Sequence, residues 1–243
     1  MKKFGVYSVL TVSAFGFLLG LSPLKAHATS TVTMKFDGST YNGKGGDNLG
    51  GIATYPYYFT INNSSTEIPL LCLSFQDSIK TGETWTADLD TIGTTGISLT
   101  ALQEEEDAWI DSKVISDFSA NPTGNALAIE ELQWAAWVVG DSSLTNSVLQ
   151  NQYHLTSTQV SAIDSDISGA QSFVATNTLT SDPKFYDAYD LYVPVANSQN
   201  PWQDGTPQTF MGPVVPEPSS FILFGSGLLT AAGALYRRKR RTA

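Results

Sequence analysis

NALAIEELQWAAWVV, residues 125–139, decides the class of this fold. Ala128, Ile129, Leu132, Ala135, Ala136 and Val139 recur at helical spacing and make one apolar stripe. Gln133 lies at the border of that stripe, beside Ile129, Ala136 and Trp137, and is expected to be half-buried. Gly140 closes the segment, as glycine often closes a helix. Upstream, NPTG (121–124) breaks the chain, and residues 98–118 read as another helix. Ser98 is placed to cap it, with EEED (104–107) near its first turns, where negative charge suits the macrodipole. A third helix, rich in Ser and Thr, is expected over 157–175.

Strands flank these helices. TVTMKF (31–36) alternates, YPYYFTI (55–61) is aromatic and β-branched, LLCLSF (70–75) reads as a buried strand and TGETWTADL (81–89) as a turn and strand. Residues 37–51 have the glycine density of a loop, and residues 61–69 read as a turn. After the helices, 189–195 and 209–215 read as strands, separated by a polar loop at 197–208. The expected class is α+β: an N-terminal antiparallel strand meander, central helices and a late strand.

The two ends are of another kind. Lys2 and Lys3, an apolar run over 4–21 and Ala26-His27-Ala28 have the layout of a signal peptide cleaved after Ala28. The alternative is an uncleaved N-terminal anchor. At the other end, SSFILFGSGLLTAAGALY (219–236) carries no charge and would span about 27 Å as a helix, close to a bilayer core. Arg237, Arg238, Lys239, Arg240 and Arg241 follow it, and the positive-inside rule puts them in the cytoplasm. Residues 29–214 then form one exported domain, 1–28 the signal peptide and 215–241 the tail.

Charge and composition exclude several functions. Five Lys face 22 Asp and Glu in residues 29–214, a net charge of −17 that repels nucleic acid and anionic headgroups. The plain reading of this excess is a solvated acidic surface. Cys72 is the chain's one cysteine, so no intramolecular disulfide forms, and it is a buried small hydrophobe, a partner in an intermolecular bond or a reactive thiol. His154 is the one histidine left after export; it lies in a polar stretch without a nucleophile elbow and reads as a surface residue. No Cys/His zinc site can be built, no cofactor motif is present, and 22 acids guarantee carboxylate pairs whether or not any is catalytic. The domain is expected not to be an enzyme.

Pro216-Glu217-Pro218 stands just before the apolar run as an extended, helix-refusing peptide that a membrane-embedded protease or transpeptidase can grip. Pro-Glu-Pro, a glycine-containing span and a terminal Arg cluster together resemble the PEP-CTERM sorting signal. That resemblance implies recognition of Pro216, Glu217 and Pro218 by an exosortase, cleavage nearby, and delivery to the cell surface or medium. It also implies a Gram-negative bacterium that makes exopolysaccharide, biofilm or floc. An ordinary single-pass anchor is the alternative.

Within the domain, LLCLSF and LQWAAW resemble the two motifs of bacterial surface thioester domains. The resemblance implies that the Cys72 sulfur attacks the Gln133 side-chain amide, expels ammonia, and leaves an acyl group that captures amines of a matrix partner. The alternatives are a packing role for both residues and a non-covalent carbohydrate- or matrix-binding module. Such a module would use Tyr55, Tyr57, Tyr58 and Trp202 as stacking platforms.

Overall fold

The computed structural model describes residues 30–38, 48–54, 57–77, 79–94, 97–196 and 207–214. The expected signal peptide with Ala26 and Ala28 lies outside them. So do the tail from 215 onward, Tyr55 and Trp202. Among the described residues no helix is long and apolar enough to cross a membrane.

Strand β1 (Ser30–Gly38) alternates as its sequence does, with Val32, Met34 and Phe36 buried between exposed neighbours. The glycine-rich stretch is not wholly loop. It ends in β2 (Asn48–Leu49), which pairs with β3 (Ile52–Ala53) across Gly50 and Gly51. Both glycines have positive φ, +70° and +79°, as a two-residue primed hairpin turn requires. Strands β4 (Tyr57–Ile61), β5 (Glu67–Cys72) and β6 (Thr84–Thr91) follow. Residues 67–69, expected in a turn, already belong to β5, and Phe75 lies beyond its end.

Five helices come next: α1 (Ala101–Ala120), α2 (Ala126–Gly140), α3 (Asn146–Asn151), α4 (Ser157–Val174) and α5 (Pro183–Tyr186). Thr100, not Ser98, caps α1: its hydroxyl accepts from the Gln103 amide while the Gln103 side chain answers to the Thr100 amide. Helix α2 runs through Gly140 to a C-cap at Asp141, and Gly140 takes no left-handed conformation. Strands β7 (Tyr189–Pro194) and β8 (Phe210–Pro213) complete the domain.

The expected meander is true only of β1, β4 and β5. The sheet closes as a barrel in the order β1-β4-β5-β8-β7-β6. Strand β8 occupies the side of β5 where β6 would have paired, with Leu71 opposite Met211 and Cys72 opposite Phe210, so β6 pairs with β7 instead. A six-strand barrel is narrow enough for side chains to fill it. Phe59 stands at its centre, 4.6 Å from the Phe210 ring, 5.3 Å from Phe36 and 5.7 Å from Trp85.

Helices α1, α2 and α4 pack on one another, and α1 and α2 both reach β5. The stripe expected on α2 is too narrow: residues 132–137 are buried all round, while Ala128 is exposed. The acidic run of α1 departs from its expectation too. Glu104, Glu105, Glu106 and Asp107 are buried rather than solvated, as is Asp111 one turn on.

Candidate functional site: the Cys72–Gln133 junction

Cys72 ends β5 at the point where the barrel meets α2. Its neighbour Leu73 donates to the Thr209 carbonyl on the β8 side, so the amide and carbonyl of Cys72 itself face the other way. Among the described residues, strand β4 pairs with β5 only as far as Leu70, and none of them gives these two groups a strand partner. Gln133 of α2 supplies one. The Cys72 N–H donates to Gln133 Oε1 at 3.1 Å, and Gln133 Nε2 donates to the Cys72 carbonyl at 2.7 Å. The side-chain amide thus takes the place of a peptide group in the ladder. Gln133 is only 2% exposed, buried rather than half-buried as its helical position suggested.

The two residues expected from sequence therefore meet, 61 positions apart in the chain. Both hydrogen bonds hold the Gln133 amide in the plane of the Cys72 backbone, and the amide carbon is one covalent bond from each bonded atom. A strand side chain leaves perpendicular to that plane. The Cys72 side chain therefore leaves its strand out of the plane in which the two hydrogen bonds hold the amide. The Cys72 N–H lies where an oxyanion-hole donor would, on the oxygen that becomes negative as the carbon is attacked.

The sulfur is dry. Cys72 is 0% exposed, its thiol donates weakly to the Ser74 carbonyl at 3.6 Å, and burial pushes its pKa up to about 12. The Trp137 indole and the Ser74 backbone act against that shift, and the negative charge of Asp77 adds to it.

Aromatic rings close the junction. The Phe75 ring lies 5.1 Å from Trp137, 5.6 Å from Trp134 and 5.6 Å from Tyr153, and the two tryptophans meet edge to face at 5.2 Å. Trp134 donates its indole N–H to the Leu49 carbonyl of the β2–β3 hairpin. A Cβ on Gly50 would sit 2.9 Å from the Tyr153 carbonyl, so this turn must be glycine for the hairpin to lie against the cluster. Neither the hairpin nor Phe75 was expected at the site. The hairpin has two-residue strands, and Phe75 read as a continuation of β5.

The remaining sequence candidates lie elsewhere. His154 is exposed, with φ of 57°. Tyr57 and Tyr58 are each 6% exposed and cannot be stacking platforms for a sugar: Tyr57 packs on Phe36 and Phe210, and Tyr58 on Phe118. Pro216, Glu217, Pro218 and the basic cluster Arg237, Arg238, Lys239, Arg240 and Arg241 lie outside the described residues.

Comparison with known proteins separates the domain from its tail. No curated protein matches the chain. Among solved structures it is similar to the N-terminal thioester domain of fibronectin-binding protein SfbI from Streptococcus pyogenes. That similarity is 12% identity at a TM-score of 0.43, over 76% of this chain and 94% of the other. At residues 214–241 the chain matches the PEP-CTERM protein-sorting motif, and that motif indicates an exported protein processed by an exosortase.

Proposed function

We propose that the exported domain is a thioester-type adhesin of an exopolysaccharide-producing Gram-negative bacterium, with Cys72 as nucleophile and Gln133 as acyl group. The observation that carries this reading is the pair of hydrogen bonds between the Gln133 amide and the Cys72 backbone. The sulfur adds to the Gln133 amide carbon, and the Cys72 N–H holds the oxygen as charge develops on it. The C–N bond then breaks, and the nitrogen leaves as ammonia with the thiol's proton. A high-pKa sulfur is a poor leaving group, and burial keeps water away, so the acyl group would persist until an amine arrives. The group is consumed once, so the domain acts as a single-use linker and not as an enzyme.

Intact mass tests the reading. The protein purified as its cells make it should weigh one ammonia less than its processed sequence, and methylamine should restore the mass as a methylamide at Gln133. In denaturant the Cys72 thiol should resist alkylation until the amine has acted, and Cys72→Ala should have full mass. A full-mass protein whose thiol alkylates at once in denaturant would overturn the thioester. A second reading then stands, favoured by one observation: as a plain glutamine, Gln133 already has both ends of its amide paired. In that reading it only completes the open edge of β5, in a domain that binds matrix or carbohydrate without a covalent bond.

Sorting has its own test. Replacing Pro216, Glu217 and Pro218 by alanine should strand the protein in the inner membrane, while the unaltered chain reaches the surface or medium. Equal release of both would mean that the segment is an ordinary anchor.

A further inference from the structure

The pairings β1–β4, β4–β5, β5–β8, β8–β7 and β7–β6 are all antiparallel, so the strands alternate in direction around the closed barrel. Strands β1, β5 and β7 run one way, and β4, β8 and β6 the other. Cys72 ends β5, so its junction with Gln133 lies where β5 and β7 finish and β8 begins. The start of β1 and the finish of β8 lie at the opposite end. The connections agree with this. The β2–β3 hairpin, which meets Trp134, joins the finish of β1 to the start of β4 at the junction end. Residues 62–66, between β4 and β5, turn the chain at the other end.

The chain leaves the barrel at that other end, and it leaves with little slack. Strand β8 is paired on both sides, by β5 and by β7. Tyr192 donates its hydroxyl to the Pro213 carbonyl at 3.0 Å, and the Val214 amide donates to the Ala188 carbonyl at 3.0 Å. Pro216 follows two residues later, and the uncharged run starts at Ser219, five residues after Val214. Five extended residues reach about 18 Å at most, whereas a domain of this length is roughly 40 Å across. So short a tether cannot let the domain turn over beside a membrane.

The turn at the tethered end suits such closeness. Asn62, Asn63, Ser64, Ser65 and Thr66 are all exposed and uncharged, in a domain whose net charge is −17. They can approach anionic headgroups without the repulsion that the domain's acids would meet. We propose that the domain stands on the lipid surface by this end until its tail is cut, with the 62–66 turn down and the Cys72–Gln133 junction facing away. This rests on reading residues 219–236 as a membrane span, and it needs no thioester. While anchored, the domain meets its partners at the junction end, and the tethered end becomes accessible only after cleavage.

Single thiols on the full chain test the orientation, with Cys72→Ala as the background. Ser65→Cys puts the thiol in the turn. Ser98→Cys puts it at the junction end, where exposed Ser98 lines a pocket with Leu73, Pro194 and Thr209. Each is read in the chain whose Pro216, Glu217 and Pro218 are replaced by alanine, on spheroplasts, with a bulky polyethylene-glycol maleimide. Ser98→Cys should react at least severalfold faster than Ser65→Cys, while small N-ethylmaleimide modifies both alike. A Gly/Ser linker of about 20 residues between Val215 and Pro216, roughly 25 Å in r.m.s. span, should remove most of the gap. With the sorting motif intact, the two thiols of the cut and released protein should react alike. Equal bulky labelling of the anchored chain, slower labelling at Ser98→Cys, or a gap that the linker leaves in place overturns the orientation. If the alanine-substituted chain is absent from the membrane fraction, it is the span that has failed, and the orientation falls with it.

Discussion

Gln133 and Asp111 are buried to nearly the same depth, 2% and 1% exposed, yet their polar atoms meet opposite treatment. At the β5–α2 junction the Gln133 amide gives and receives a hydrogen bond, and the Cys72 carbonyl and N–H are its partners. Along α1, none of the four carboxyl oxygens of Asp107 and Asp111 has a hydrogen-bond partner among the described residues. Burial pushes both carboxyls well above the usual range, and for Asp107 the charges of Glu106, Asp111 and Glu104 add to it. A neutral amide with two partners can be buried at little net cost, whereas an ionised carboxylate with none cannot stay ionised. Depth of burial therefore does not mark a site in this domain. Pairing does, because only the paired group is held in a defined orientation. Nothing in the structure explains why Asp107 and Asp111 are acids.

The strongest way to break this contrast is to remove the paired amide. In a Cys72→Ala background, where no acyl group forms and the Gln133 amide keeps both hydrogen bonds, Gln133→Leu takes the amide's two bonds from the residue-72 N–H and carbonyl and should cost about 2–6 kcal/mol, each group contributing about 1–3. Cys72→Ala alone removes the sulfur and leaves both hydrogen bonds of the amide, and relative to the protein with a plain Gln133 amide should cost about 1 kcal/mol. Urea unfolding of the two variants beside the unaltered protein measures the difference. If Gln133→Leu is no more damaging than Cys72→Ala, the amide was not holding the strand end.

The unpaired side is sharpened by pH. Above about pH 4, where a carboxylate of the unfolded chain has ionised, folded Asp107 and Asp111 still hold their protons. The native state then binds more protons than the unfolded state, so stability falls as pH rises toward the raised folded pKa values. The domain should be more stable at pH 5 than at pH 8. Asp107→Asn and Asp111→Asn, which keep shape without charge, should each raise stability at pH 8 by about 1–3 kcal/mol and flatten the profile. Thermal melts across that range check it; a variant that loses stability at pH 8 would show that the charge has a partner after all.

Much of the fold was legible in the sequence because most elements carry their own period. The alternation of β1 and the long runs of α1, α2 and α4 are visible without tertiary context. Helices α3 and α5, six and four residues long, are too short to display a period. The barrel was hidden for a different reason: pairing Cys72 with Phe210 is a property of the closed sheet, and no local pattern around either residue encodes it. At the site, the proximity of Cys72 and Gln133 was suggested by the resemblance of their motifs alone. The helical stripe misjudged Gln133's depth, because α2 is packed by α1, α4 and β5 together and not along one face. The buried acids of α1 were missed because a charge run ordinarily faces water, and nothing in EEED itself says that other helices cover it.

The smallest effect comes from a polar pair at the surface, and it calibrates the other two. Thr100 and Gln103 satisfy each other's backbone at the start of α1, in the same reciprocal way as Gln133 and Cys72 but with Thr100 exposed to solvent. Ser98 sits two residues earlier, also exposed, and has no part in the cap. Thr100→Ala should therefore cost about 1 kcal/mol, since water can replace part of what the side chain supplied. Ser98→Ala should change stability by no more than about 0.5 kcal/mol, as surface changes away from such features do. The ratio between Thr100→Ala and Gln133→Leu then isolates what burial adds to a reciprocal hydrogen-bond pair. Equal losses at the two sites would mean that the junction behaves as surface, and that water reaches the Cys72 backbone when Gln133 is gone.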